Sequence, residues 1–541
     1  MNRLKDCYKK ITEGSYAEYA MTCALGVLLI IQRFLAGGYK PVMDDWFLYG
    51  DLYTSISERL SSFAIPNEKF AIRPIAGFFD CFVNAPLFKH LWIVELALTL
   101  SLLAGAFFIM KAMRRNNAGG AGFLMCLVCL FPVGLEATYW IAAATRISYS
   151  VLFTGAAVFA LDWYYKTRQK RGIVLYAVLG MICVGFYEPA IVLYILLTLF
   201  IAQSNYKSKR DLMPLIITAA HIVIIGLYYV LNSGSGEIES RGGFLESDII
   251  EHTSVVTGYI RDIFLEYSKT LTGNGWRKGL LIVLGGHKII KTLLIGVFSL
   301  LFGVFSALCV KKRKFSIKIF VFGIIMFLGG LSLNYVLGSD RITLRLVYFS
   351  YFGAGIMLDE LLMLLPNKAS KALCAVIMTC LAFVFTVSGV GEVSDYRQTS
   401  DFDVYITQQI VDMDEDHVTD VDKNTYVFGG QHYYEETWCI SYLDHIRGVS
   451  GNYADITGCM RHLTNVAFTN NIMTFTYGDT QALKPYIDTE GLCKFYNIEY
   501  DKTVVEVSLE PDGDDYNIVR ADGTIAGRLQ MTDDALYQYT D

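Results

Sequence analysis

Long apolar runs separated by short polar segments dominate the chain as far as Gly391. They fall at roughly 17–36, 88–110, 119–135, 148–165, 172–186, 189–203, 213–231, 290–310, 317–337, 346–365 and 372–391. Runs of this kind suit a helix crossing about 30 Å of hydrocarbon. The pattern predicts a mainly α, polytopic membrane protein with about 11 transmembrane helices over 1–391. The fifth and sixth runs form one apolar stretch broken at Tyr187-Glu188-Pro189. Proline cannot continue a helix's hydrogen bonding, so two short helices are expected to meet there. Two polar intervals are long, 37–86 and 232–279. In the second, Val255, Val256, Tyr259, Ile260, Ile263, Phe264 and Tyr267 recur at helical spacing, which predicts an amphipathic helix lying in the interface.

After Gly391 the pattern changes. DVYITQQIVDM reads as a helix, TYVFGG, IMTFTYG and TVVEVSL as short strands, and PDGDD as a turn. A small α/β or α+β soluble domain is expected over 392–541.

Charge adds an orientation. Residues 392–541 hold 28 acidic and 9 basic side chains, a net of −19, whereas the preceding part carries +13. The basic segments MNRLKDCYKK, KAMRRNN, KTRQKR, YKSKRD, KKRKFSIK and PNKASK all fall in alternate loops. With their flanks they hold 21 Lys and Arg in about 52 residues, against 12 in about 121 for the opposite set. The positive-inside rule then places the N-terminus in the cytoplasm, with the first run as a retained signal anchor. An odd number of spans places the acidic tail outside, at a plasma membrane. At 53% hydrophobic and 18% charged residues, the composition excludes an ordinary soluble enzyme. Cys126 and Cys129 lie inside an apolar run, and the tail's histidines and cysteines lack metal-ligand spacing, so neither set suggests zinc. Walker A, GxSxG and Rossmann signatures do not occur.

Chemistry is expected at the outer ends of helices, where water-soluble groups can meet a lipid substrate. Asp44 and Asp45 follow the first run; adjacent carboxylates can raise one another's pKa, accept a proton from a hydroxyl or share a divalent cation. Arg73, Arg146, Arg341 and Arg345 fall on the same side, and arginine's planar fork suits phosphate. Glu136 and Glu188 stand at helix ends on that side, Glu188 beside a proline. Asp359 and Glu360, towards the opposite side, are expected to pair with Lys368 or Lys371.

An acidic pair soon after the first span, then an arginine, then a Tyr-Gln-like dipeptide between two mid-chain spans, and an outside arginine before a late span form an ordered pattern. In these features the chain resembles the bacterial GtrII-type glucosyltransferases and, more broadly, the GT-C class of membrane glycosyltransferases. The dipeptide here is Tyr187-Glu188, with glutamate where the family has glutamine. The resemblance implies an enzyme that moves a sugar, with glucose a candidate, from a polyprenyl-phosphate carrier to a cell-surface polysaccharide or other glycan on the outer face. It implies Asp44 or Asp45 as base, Arg73, Arg146, Arg341 and Arg345 with Tyr187 and Glu188 as substrate-binding groups, and inversion by single displacement. It requires no cofactor, and a divalent metal ion is the one candidate. The partners implied are the lipid-linked donor, the glycan acceptor and membrane lipids, not nucleic acid. A flippase or transporter of lipid-linked glycans, or a glycan polymerase or ligase, would use similar charged groups. A transporter would favour mid-span charges and paired repeats, and neither is prominent.

Overall fold

A computed structural model describes residues 16–42, 45–50, 56–64, 73–118, 120, 122–231, 249–285, 289–311, 314–336, 344–413, 424–429, 463–469, 472–477, 493–499 and 501–531. The chain divides into two compact units, Met1–Lys40 with Ser57–Arg397 and Pro41–Ile56 with Gln398–Asp541.

The helices are α1 (Tyr16–Phe34), α2 (Ile56–Ala64), α3 (Pro74–Phe79), α4 (Leu91–Arg115), α5 (Gly122–Leu130), α6 (Leu135–Thr138), α7 (Ile141–Thr167), α8 (Lys170–Val184), α9 (Glu188–Asn205) and α10 (Met213–Leu231). They continue as α11 (Ile249–Asp262), α12 (Ser268–Leu284), α13 (Ile289–Cys309), α14 (Ile317–Val336), α15 (Ser350–Leu361) and α16 (Asn367–Met413). Seven helical stretches among the described residues are long and apolar enough to cross a membrane. The other expected spans are shorter or broken. The run at 119–135 is α5, nine residues long, followed by a 3-10 turn at Pro132–Gly134. The run at 346–365 is the 12-residue α15 between 3-10 turns. The mid-chain stretch does divide: α8 stops at Val184, Tyr187 is extended (φ −158°, ψ 126°), and α9 starts at Glu188-Pro189. Proline in the first turn gives up an N–H that no helix could use there, and the Glu188 charge complements the positive helix end.

Close backbone approach ties the long helices together. A Cβ on Gly105 of α4 would stand 2.5 Å from the Val151 carbonyl oxygen of α7, and one on Gly155 would stand 2.4 Å from that of Gly105. Gln32 of α1 is fully buried and donates to the carbonyls of Leu130 and Phe385, each at 3.0 Å. At the basic end, Glu18 pairs with Lys111 and Arg114, and Asp162 with Arg115 and Lys166. Between α9 and α10, Asp211 pairs with Arg168, whose guanidinium together with the Lys207 and Ser208 N–H groups holds the carboxyl at about 2. Asp359 and Glu360 do not pair with Lys368 or Lys371. Asp359 accepts the N–H groups of Phe123 and Leu124 at 3.2 and 3.1 Å, and Glu360 accepts that of Ser316. The apolar α5 has no capping side chain of its own, so a neighbouring helix supplies the acceptor for its unbonded N–H groups.

The expected amphipathic helix spans α11 and the π-turn Ile263–Tyr267. Val256, Ile260 and Ile263 are buried, while Val255 and Tyr259 remain exposed. The helix expected at DVYITQQIVDM is the end of the 47-residue α16. The second unit carries a seven-stranded mixed sheet in the order β1-β4-β5-β6-β7-β3-β2. These strands are β1 (Asn424–Gly429), β2 (Leu463–Thr469), β3 (Ile472–Tyr477), β4 (Cys493–Ile498), β5 (Val504–Asp512), β6 (Asp515–Arg520) and β7 (Ile525–Met531). The β1–β4 and β3–β7 pairs are parallel and the rest antiparallel. Tyr496, Ile498, Val504, Ile518 and Leu529 are buried in it. The expected turn at PDGDD joins β5 to β6, with Gly513 at φ +71°, where glycine has no steric penalty.

Candidate functional site

Arg73 stands immediately before the proline that opens α3, and its φ −133°, ψ 73° keep it out of the helix, as a following proline requires. From that corner it meets the start of α9. Its Nε lies 3.0 Å from both carboxylate oxygens of Glu188, and its Nη2 lies 2.9 Å from Oε2. This is a side-on ion pair with each side chain about a quarter exposed, at 22% and 25%. The same guanidinium lies 4.7 Å from the centre of the Tyr187 ring. Tyr187 is buried and packs on Phe349, with ring centres 6.0 Å apart. Arg345, in the 3-10 turn Leu344–Val347, sits 5.3 Å from the Trp140 ring. Among the described residues, no carboxylate lies within ion-pair distance of Arg345.

Tyr187 draws these groups into one site. Burial pushes its phenol above the ordinary range, Arg73 and Arg345 pull it down, and Glu188 and Glu136 push it up. All four charges therefore act on one ring. Glu136 reaches the site from α6. From Pro132 to Thr145 every residue is buried except Glu136, so this segment presents a carboxylate and little else to solvent. A fully buried arginine fixes the segment: Arg33 pairs with Glu95, donates to the Thr138 carbonyl, and reaches Thr138 Oγ1 at 2.9 Å.

The structure thus brings together Arg73, Tyr187, Glu188 and Arg345. Arg146 is engaged differently, 2.7 Å from the fully buried Asp80, which also accepts from Asn84. Asp45 belongs to the other unit. It is fully buried, and its Oδ2 accepts the Val42 N–H at 3.2 Å, closing a turn. Asp44 and Arg341 lie outside the described residues. Three participants were not singled out by spacing: Trp140, Phe349 and Arg33. For Trp140 and Phe349 the available signal was an aromatic at the outer end of a span, and for Arg33 a cation inside an apolar run. Among the described residues no group of three His, Cys, Asp or Glu side chains assembles as metal ligands would.

The site is therefore cationic groups backed by aromatic rings, with carboxylates alongside, at the ends of apolar helices. This suits an anionic leaving group and a hydroxyl nucleophile. No curated protein and no solved structure matches the chain. The family described as glucosyl transferase GtrII matches residues 72–358, just over half of the sequence. The matched segment contains Arg73, Arg146, Tyr187, Glu188 and Arg345, and begins after Asp44-Asp45. The chain belongs to the GtrII glucosyl transferase family, and with its apolar helices it is a membrane glycosyltransferase.

Proposed function

We propose that the protein crosses the membrane many times, N-terminus inside and acidic tail outside, and transfers a sugar from a polyprenyl-phosphate carrier to a hydroxyl of a surface glycan. The observation that carries this reading is Arg345: a guanidinium held against Trp140, with no carboxylate within ion-pair distance among the described residues, and acting on the same Tyr187 ring as Arg73. Stacking on an aromatic face fixes the guanidinium plane without neutralising its charge. Such a group can accept a phosphate at little electrostatic cost.

In the proposed step the acceptor oxygen attacks the anomeric carbon. The bond from that carbon to the phosphate oxygen breaks, and its electron pair leaves with the lipid phosphate. The acceptor proton goes to a carboxylate base, a role the family resemblance gives to Asp44 or Asp45, and one displacement inverts the anomeric centre. Arg345 and Arg73 stabilise the charge that develops on the leaving phosphate, and Glu188 holds Arg73 in plane. Glucose follows from the family name as the first sugar to try.

The test is to incubate purified protein in detergent with a panel of polyprenyl-phosphate sugars and an acceptor glycan, and to score release of lipid phosphate. A transporter has no membrane to act across in this assay and would release none. Absence of turnover with every donor sinks the proposal.

A further inference from the structure

The helix α16 reaches the site from outside the segment matched by the family, which ends at residue 358. Its apolar half closes at Gly391, and Glu392 is the first charged side chain after Lys371. Glu392 is only 9% exposed. Among the described residues its carboxylate has no hydrogen-bond donor and no cation within ion-pair distance. Lys278 of α12 is held by Asp395 instead, at 2.5 Å. Gly275 of α12 makes room for the carboxylate: a Cβ there would stand 2.7 Å from Glu392 Oε1. One turn further along the same face of α16 is Tyr396. It is half-buried, and its hydroxyl has no hydrogen-bond partner among the described residues. Its ring packs on Tyr139, with centres 5.8 Å apart, and Tyr139 directly precedes the Trp140 that carries Arg345. The charges of Arg345, Glu136 and Glu392 act on Tyr396, while those of Arg73, Arg345, Glu188 and Glu136 act on Tyr187. Arg345 is thus common to both tyrosines.

From this arrangement, and on the transfer reading above, we infer that Glu392 and Tyr396 form the subsite for the acceptor, a neutral sugar that presents hydroxyl groups. A buried carboxylate without a partner is costly, and sugar hydroxyls supply the donors that Glu392 lacks. The phenol of Tyr396 can donate to the same sugar or accept from it. A phosphate is disfavoured here because the Glu392 charge repels it. A cation is disfavoured because the Arg345 guanidinium acts on the same ring. Two guanidiniums act on Tyr187 and one on Tyr396, so the leaving phosphate and the entering hydroxyl have separate places that share Arg345. Glu392 then holds the acceptor hydroxyl in position, and Tyr396 fixes the sugar that bears it.

The experiment uses the full-length protein in detergent, with maltohexaose as the neutral acceptor probe and polyprenyl-phosphate glucose as donor. Oligosaccharide binding is followed by saturation-transfer NMR, and transfer by release of lipid phosphate. The unmodified protein is expected to bind maltohexaose but not an oligogalacturonate of the same length. Tyr396→Phe removes a neutral hydrogen bond and should weaken binding and raise the acceptor KM about tenfold. Glu392→Gln removes a charged acceptor and should do so by about 10- to 100-fold. Neither should alter the donor KM, which Arg345→Lys should raise. Maltohexaose binding that is absent from the unmodified protein, or equal in it and both variants, overturns the assignment. A raised donor KM with acceptor binding intact overturns it too, by moving both residues to the phosphate subsite. Failure of transfer with these binding differences intact would sink the transfer reading and leave the sugar subsite supported.

Discussion

Glu188 is where this chain departs from the glutamine expected at the dipeptide, and its contacts define what the change does. Its carboxylate makes a side-on pair with Arg73 at 2.9–3.0 Å, about a quarter exposed. Hydrogen bonds to charged groups are worth roughly 1.5–3 kcal/mol when partly shielded. A loss of that size in the orientation of Arg73 corresponds to about 10- to 150-fold in rate, at 1.36 kcal/mol per tenfold. Glu188→Ala removes every contact, so turnover should fall within that range. Glu188→Gln keeps a carbonyl acceptor for one Arg73 N–H but removes the charge. Its turnover should fall about tenfold, while donor affinity holds or tightens because Arg73 then faces the phosphate without the competing Glu188 charge. The split between kcat and KM is the informative readout, measured by sugar transfer in detergent across donor concentrations. Unchanged kcat in Glu188→Ala would refute the idea that Glu188 orients Arg73. Donor binding weakened equally in the Ala and Gln variants would show that the carboxylate itself binds the substrate.

Other outcomes follow from the same geometry. Arg345→Lys should retain charge but lose the planar stack on Trp140, and Arg345→Ala should lose both, so donor use should weaken in that order while insertion stays normal; unchanged KM and kcat in the Ala variant would make Arg345 an interfacial anchor. Asp44→Asn or Asp45→Asn should lose ~10²–10⁴-fold in turnover if that residue is the base, and both should fall together, with sensitivity to a chelator, if the pair shares a divalent cation; full transfer in the double variant would transfer the role of base to Glu136. A reporter fused after Gly391 should be active outside the cytoplasm and one at Lys170 inside, and the reverse result would remove the acceptor from reach of the site. Removing 414–541, beyond the end of α16, should spare donor binding and lower transfer to the native acceptor, which a binding assay beside a transfer assay would separate.

What could be read from the chain depended on how local each signal was. The break at Tyr187-Glu188-Pro189 was legible because proline acts on its own helix. The strands β1, β3 and β5 were legible from alternation or β-branched runs, whereas β2, β4, β6 and β7 offered mixed polar sequences such as Cys493–Ile498. Hydropathy counts apolar residues and is blind to helix continuity, so the runs at 119–135 and 346–365 looked like full spans although 3-10 turns shorten them. The same blindness split α16, whose apolar and polar halves form one helix. The arginines of the site were legible by type and side, but their partners were not. Arg73 and Glu188 are 115 positions apart, and Arg33 and Thr138 are 105 apart. Contacts at such separation are products of packing.

The two ends of the helical unit show why arginine content alone does not locate a phosphate site. At the basic end the cations are tied to carboxylates: Lys111 and Arg114 to Glu18, Arg115 and Lys166 to Asp162, and Arg168 to Asp211. Apart from Lys166–Asp162, which lies within α7, these pairs join separate segments, and all cancel charge locally, so they act as staples. Arg146 with Asp80 is of the same kind, although sequence position alone grouped it with the substrate-binding arginines. Arg345 differs because its neighbour is an indole, which orients the guanidinium while leaving its full charge available to an incoming anion. Arg73 has both, a carboxylate at its edge and a phenol at its face. That combination makes Arg345 the stronger electrostatic anchor for a phosphate and Arg73 the more precisely aimed donor. Replacing the indole should therefore act through Arg345: Trp140→Leu should raise KM for the donor more than it lowers kcat, and a purely structural Trp140 would instead reduce the amount of folded protein with both constants intact.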